Sequence, residues 1–147
     1  MTTGHGSNGT TLKVDMAGVD TIIGQIASMT PPKSVVQSEK MKGLSDKHPT
    51  PCATGSLEYD DASFQLYLDP LDDVHENLLS STHDYDHADF GKTRTWTMEF
   101  PQVATLNPWI FAGLPKSFAV LTEVDKLLRA DTVVEVSHSI QLPTQAA

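Results

Sequence analysis

The sequence predicts a mainly β domain, two packed sheets or a barrel, with one flanking helix, a long inserted loop and an N-terminal arm. Three observations carry that prediction. Alternating apolar and polar residues recur in short runs between turn signals, as in Phe64-Gln65-Leu66-Tyr67-Leu68. One stretch alone, opened by Asp69-Pro70, has apolar residues at helical spacing. Residues 33–55 form a connection far longer than a turn, punctuated by Gly43, Pro49 and Pro51.

Residues 1–10, mostly Gly, Ser, Thr and Asn, read as a flexible arm. Leu12 and Val14 alternate with Lys13 and Asp15 in a first strand, followed by a turn at Gly18-Val19-Asp20. The β-branched Thr21, Ile22 and Ile23, with Ile26, predict one strand over 21–29, ended by Pro31-Pro32. The 33–55 connection holds Val35, Val36, Met41 and Leu44, so a protruding loop or extended hairpin is expected, its apolar residues covered by a partner. Strands are expected at 56–59 and 63–68. Asp69 then suits a helix N-cap, Pro70 the first helical position, and Asp72 and Asp73 the positive helix start. Leu71, Val74 and Leu78 make its apolar stripe, and the end is expected near Ser80-Ser81. An acidic loop over 82–91 leads to strands at 93–100, 106–112, 117–123 and 132–142, with Gly113-Leu114-Pro115 read as a tight reversal. The expected division is an arm (1–10), one domain (11–142) and a short tail (143–147).

A length of 147 residues, 39% hydrophobic and 20% charged, suits one domain able to bury its own core. No apolar run approaches the roughly 20 residues that span a bilayer, and the polar start lacks a signal pattern, so neither secretion by a cleaved signal nor membrane insertion is expected. The single Cys52 excludes an internal disulfide and reads as a small filler, with His48 a poor candidate base in a Pro-rich loop. Net charge is −9, without the basic stripe of a nucleic-acid binder. It is unevenly spread: residues 33–47 hold four lysines against Glu39 and Asp46, while residues 48–91 hold ten acids and no Lys or Arg. Such a split suits either a solvated acidic face or one region of a subunit attracting another on its neighbour.

Candidate chemistry is sparse, and no active site is expected. His83, Asp84, Asp86, His87 and Asp89 lie within seven residues and could ligate a divalent metal, although a solvated acidic loop explains them better. His75-Glu76 lacks the second histidine of a zinc helix and reads as a surface histidine. Glu58, Asp60 and Asp61 have no apolar pocket to raise one carboxyl's pKa. Trp96, Phe100, Trp109, Phe111 and Phe118 suit core or interface packing better than a ligand platform.

Read in order, these features resemble a known family. The Gly/Thr/Ser-rich arm is followed by a strand region closed by Ser28-Met29-Thr30-Pro31-Pro32, then a long loop with Met41-Lys42-Gly43-Leu44-Ser45-Asp46. Phe64-Gln65-Leu66-Tyr67-Leu68-Asp69-Pro70 runs into a helix at 72–79, and strands fill the chain from Thr93 onward. The chain thereby resembles the tail tube protein (major tail protein) of long-tailed, non-contractile bacteriophages. It departs from the family in lacking an acidic turn over 33–40. The resemblance implies a structural virion protein without cofactors: a β-sandwich subunit, six of which close a ring around a shared barrel, with rings stacking into a hollow tube. It implies tail terminator, tape measure and distal tail proteins as partners, assembly in the host cytoplasm, and genomic DNA passing the lumen without specific binding. The contacts between rings are then expected from Lys33, Val35, Val36, Lys40, Met41, Lys42, Leu44 and Lys47. Alternatives are a ring-stacking tube protein of a contractile tail or secretion machine, a small β-barrel metalloenzyme using His83, Asp84 and His87, and a monomeric module binding a ligand through Trp96 and Trp109.

Overall fold

Period-two burial sets the strands. In β1 (Thr11–Met16) it buries Leu12 and Val14, in β6 (Ala62–Tyr67) Ala62, Phe64 and Leu66, and in β7 (Arg94–Glu99) Arg94, Trp96 and Met98. The computed structural model describes residues 9–43, 47–103 and 105–145; the expected arm therefore lies outside the described residues except for Gly9 and Thr10. With β2 (Val19–Ile22), β3 (Ile26–Thr30), β8 (Trp109–Leu121) and β9 (Arg129–Gln141), these strands form one seven-stranded antiparallel sheet ordered β2-β1-β7-β8-β9-β6-β3.

The outermost strands, β2 and β3, are joined only by Ile23-Gly24-Gln25. Laid flat, seven strands would hold those edges about 29 Å apart. Three linking residues reach at most about 14 Å. The sheet therefore curls until its edges approach and its halves pack face to face. Hydrogen bonds tie the link to both halves: Ile23 N–H donates to Leu12 O (2.8 Å) and Tyr67 N–H to Gln25 O (2.9 Å). Across the interior, the rings of Phe64 and Trp96 lie 5.9 Å apart, although two strands separate β6 from β7 within the sheet. The expected packed layers are thus two halves of one continuous sheet. Trp96, fully buried, donates its Nε1–H to Gly113 O at 3.1 Å, so its polar edge is satisfied where its ring fills the core. Phe111 and Phe118 are buried beside it, and Phe100 and Trp109 pack against that core.

Closure corrects the single strand expected over 21–29. The chain breaks at Ile23–Gln25, where Gln25 takes φ 64°, because one straight strand could not leave one edge of the sheet and start the other.

The helix α1 (Asp73–His83) also differs from expectation, starting later and running past Ser80-Ser81. Its N-cap is Asp72, whose carboxylate accepts from Val74 N (2.9 Å) and His75 N (3.3 Å). Asp69 instead shapes a preceding turn, accepting from Leu71 N at its carboxylate and from Asp72 N at its carbonyl, both at 3.0 Å. His75 explains the shift. Expected on the surface, it is fully buried: its Nδ1 accepts from Asp69 N (3.0 Å), which leaves Nε2–H to donate to Gly24 O (2.9 Å). The imidazole thereby ties the turn before the helix to the β2–β3 link. The buried stripe becomes Val74, His75, Leu78 and Ser81, and Leu71 is left 91% exposed.

The reversal expected at Gly113-Leu114-Pro115 is absent; β8 runs straight through it, paired with β9. Both punctuating residues answer to the sheet. A Cβ on Gly113 would lie 2.5 Å from Val134 Cγ1, and Pro115, which has no N–H to give, sits where the register shifts before Ser117. Strands expected at 106–112 and 117–123 are therefore one. β9 starts at Arg129, three residues before the expected start at 132. Of the tail, Thr144 accepts from Asn107 N at 2.9 Å, and Gln145 bridges to Leu106.

The helix is fastened to β7 through Asp89, whose carboxylate meets Arg94 Nη2 (2.9 Å) and accepts from Asn77 Nδ2 (3.0 Å). The Asn77 hydrogen bond chiefly, with the Arg94, His87 and Lys92 charges, holds the Asp89 carboxyl below its ordinary pKa against the opposing effect of desolvation.

Two outcomes follow for stability. Gly113→Ala should lower the urea-unfolding free energy by about 1–3 kcal/mol through overpacking, and Val134→Ala in the same chain should recover part of that loss. Asp89→Asn should cost about 1 kcal/mol at neutral pH, a modest figure because the carboxylate is over a third exposed. A depressed folded pKa contributes stability above the unfolded value of about 3.9 and loses it on acidification. The gap in melting temperature between parent and Asp89→Asn should therefore close as pH falls from about 5 to about 2.

Candidate functional site

β3 and β6 are paired neighbours, with Thr30 opposite Ser63, so everything between them must leave the sheet and return to the same place. What leaves is a hairpin. β4 (Ser34–Met41) and β5 (Thr50–Tyr59) form a separate two-stranded sheet, closed at its base where Asp60 N–H donates to Lys33 O at 2.6 Å. The register slips between Val36 and Ser38, opposite Gly55 at φ +87°, and Thr54 Oγ1 donates to Gln37 O at 3.1 Å. The hairpin touches the main sheet chiefly through β5 and β9.

The residues expected to make contacts between copies lie together on this element. Lys33 precedes β4; Val35, Val36, Lys40 and Met41 are on it; Lys42 follows it; Lys47 lies in the turn before β5. All seven are exposed, Val36 by 59% and Met41 by 61%. Leu44 lies outside the described residues. The sequence reading missed Leu57, which stands opposite Val36 in the register and is 51% exposed, so the pair is one apolar spot. Alternation over 56–59 contains that signal only once the pairing is known. Among the described residues, none of the four lysines has a carboxylate within ion-pair distance. An isolated two-stranded hairpin is marginal in water, and this one exposes the side chains that would otherwise hold it. Its apolar side chains are therefore left without cover from the described residues of the chain's own body.

Free strand edges offer further contact. Among the described residues β2 pairs only with β1, and β3 only with β6; Val19 and Ile22 of β2 are exposed. Unprotected edges of this kind are places where a chain adds to another.

The chemical alternatives find no constellation. His83 Nε2–H donates to Phe118 O (2.7 Å), His87 Nδ1 accepts from Asp89 N (3.1 Å), and Asp84 accepts from Asp86 N (3.0 Å), while Asp89 is held by Arg94 and Asn77. These side chains serve local geometry, and among the described residues no three His, Cys, Asp or Glu gather as a metal would need. Trp96 is fully buried and Trp109 donates to Ser139 Oγ at 3.3 Å, so the pair forms no common platform. Asp61 lies 3.5 Å from Lys116, Glu58 is exposed opposite Val35, and Cys52 is half-buried in β5. No helix among the described residues is long and apolar enough to cross a membrane.

No family model and no curated protein matches this chain. Solved structures do. A subunit from the tail of an empty gene transfer agent particle, resolved with C6 symmetry, superposes with a TM-score of 0.74 at 8% identity, over 96% of this chain and 100% of that one. A subunit of the anti-feeding prophage baseplate, six-fold symmetrised, gives 0.71 at 8% identity over 95% of both chains. The SPP1 tail tube subunit gives 0.61 at 10% identity over 92% of this chain and 77% of that one. Across nearly its whole length, this chain has the fold of these three subunits.

Proposed function

We propose that this protein is a structural subunit that closes into six-membered rings and stacks into the hollow tail tube of a virus-like particle, working by assembly rather than catalysis. The observation that carries the reading is the β4–β5 hairpin: a topologically expelled element exposing Val36, Met41 and Leu57 beside lysines that have no carboxylate in ion-pair distance among the described residues. The shared fold with tail subunits of six-fold particles supports it. In this reading the free edges of β2 and β3 join neighbouring copies within a ring, and Lys33, Val35, Val36, Lys40, Met41, Lys42, Leu44 and Lys47 make contacts between rings. Tail terminator, tape measure and distal tail proteins complete the tail, assembled in the host cytoplasm. Genomic DNA passes through the lumen, and the surplus of acidic residues, −9 per copy, favours sliding over adhesion because it repels phosphates.

The likeness to the anti-feeding prophage baseplate subunit, nearly as close as that to the gene transfer agent tail, supports a second placement in a ring-stacking tube of another machine. Both placements use the same surfaces.

Concentrated protein should form annular and tubular particles in negative-stain electron microscopy, and a chain that stays monomeric at every concentration overturns the reading. Screening of the lysines by about 1 M salt should raise the concentration needed for stacking by about tenfold, near 1.4 kcal/mol per contact. Sedimentation at low and high salt measures that change.

A further inference from the structure

We infer that the hairpin of one copy docks on the opposite end of β6 in a second copy, on a patch built from Leu71, Val124 and Leu127. The inference rests on the stacked-ring reading and names the receiving surface that reading leaves open. β6 runs from the hairpin base at Ala62 to Tyr67, roughly 17 Å away at about 3.4 Å per residue. Just beyond Tyr67, Leu68 N–H donates to Leu128 O at 2.9 Å and brings two segments together: residues 69–73, which lead into the first residue of the helix, and residues 123–129, which lead from β8 into the first residue of β9. Each segment exposes large apolar side chains, Leu71 by 91%, Val124 by 89% and Leu127 by 68%. These are among the most exposed apolar residues described, and none has a place in the fold's own core.

Charge selects the occupant. The two segments carry Asp69, Asp72, Asp73, Glu123 and Asp125 against Lys126 and Arg129. Lys126 is taken by Glu123 at 2.9 Å, and Arg129 lies over the Tyr67 ring, 5.6 Å from its centroid. The patch is therefore apolar with an acidic surround. The hairpin is its complement where it is apolar, at Val36, Met41 and Leu57, and over 33–47 it carries four lysines against Glu39 and Asp46, a net positive stretch, with Glu58 and Asp60 following only toward its base. A patch and a hairpin at opposite ends of one strand do not meet within one copy. Two different surfaces that fit each other head to tail generate an open repeat, which is the symmetry of stacking. A second copy of this chain is thus the partner whose chemistry matches on both counts.

The test places Met41→Cys and Leu127→Cys in one chain on a Cys52→Ser background. Oxidation of assembled tubes should give a ladder of disulfide-linked multimers on a non-reducing gel, and either single-cysteine chain should give none. Separately, Leu71→Asp with Val124→Asp should raise the critical concentration for stacking at least about tenfold while single rings persist and the melting temperature holds. If the parent chain makes tubes but the ladder is absent and the aspartate variant stacks normally, the docking surface is wrong and the tube reading stands. If the parent chain forms neither rings nor tubes, both fall.

Discussion

Three residues, Ile23-Gly24-Gln25, govern this molecule. By joining the two outermost strands of a seven-stranded sheet with so short a link, they force the sheet to curl, and curling makes the core. Trp96 and Phe64 face each other only because the halves close, and the helix is set against the same link through the buried imidazole of His75 and Gly24 O. A histidine with one ring nitrogen accepting and the other donating is fully satisfied when neutral, so the interior holds a polar clasp without an unpaired charge.

The same closure decides where the exposed hairpin lies. Because β3 and β6 are adjacent and antiparallel, the residues between them have no slot in the sheet. They form a hairpin whose apolar side chains face outward. The curled sheet buries the core, while the hairpin and the segments beyond Tyr67 leave Val36, Met41, Leu57, Leu71, Val124 and Leu127 exposed.

Much of this was legible in the sequence wherever local pattern and final environment agree. Alternation gave β1 and β6 because each is buried on one side only, and β7 because Arg94, Trp96 and Met98 alternate into the interior although Thr97 between them is buried as well. The outward hairpin was legible from the conflict between Val35, Val36 and Met41 and their Pro- and Gly-punctuated surroundings. What stayed hidden was set by partners distant in sequence. Gly113 and Pro115 carry the signature of a turn, yet Gly113 is small because Val134 presses on it. His75 looks like a solvent residue until Gly24, far upstream, supplies an acceptor. Asp69 and Asp72 are equally good caps by composition, and only the engagement of the Asp69 amide by His75 decides between them. Leu71 and Leu57 likewise have no outward signal apart from the register that exposes them.

The point of insertion gives the hairpin an independence the other elements lack. Its ends leave and rejoin the body at one backbone hydrogen bond, Asp60 N–H to Lys33 O, so its length and tip can change while that gate and the Thr30–Ser63 pairing stay fixed. Drift there costs the scaffold little. Under the proposed assembly, subunits of this architecture could therefore diverge in which copies they accept while keeping one body plan, and incompatible tips would keep two such proteins from mixing in the same cell.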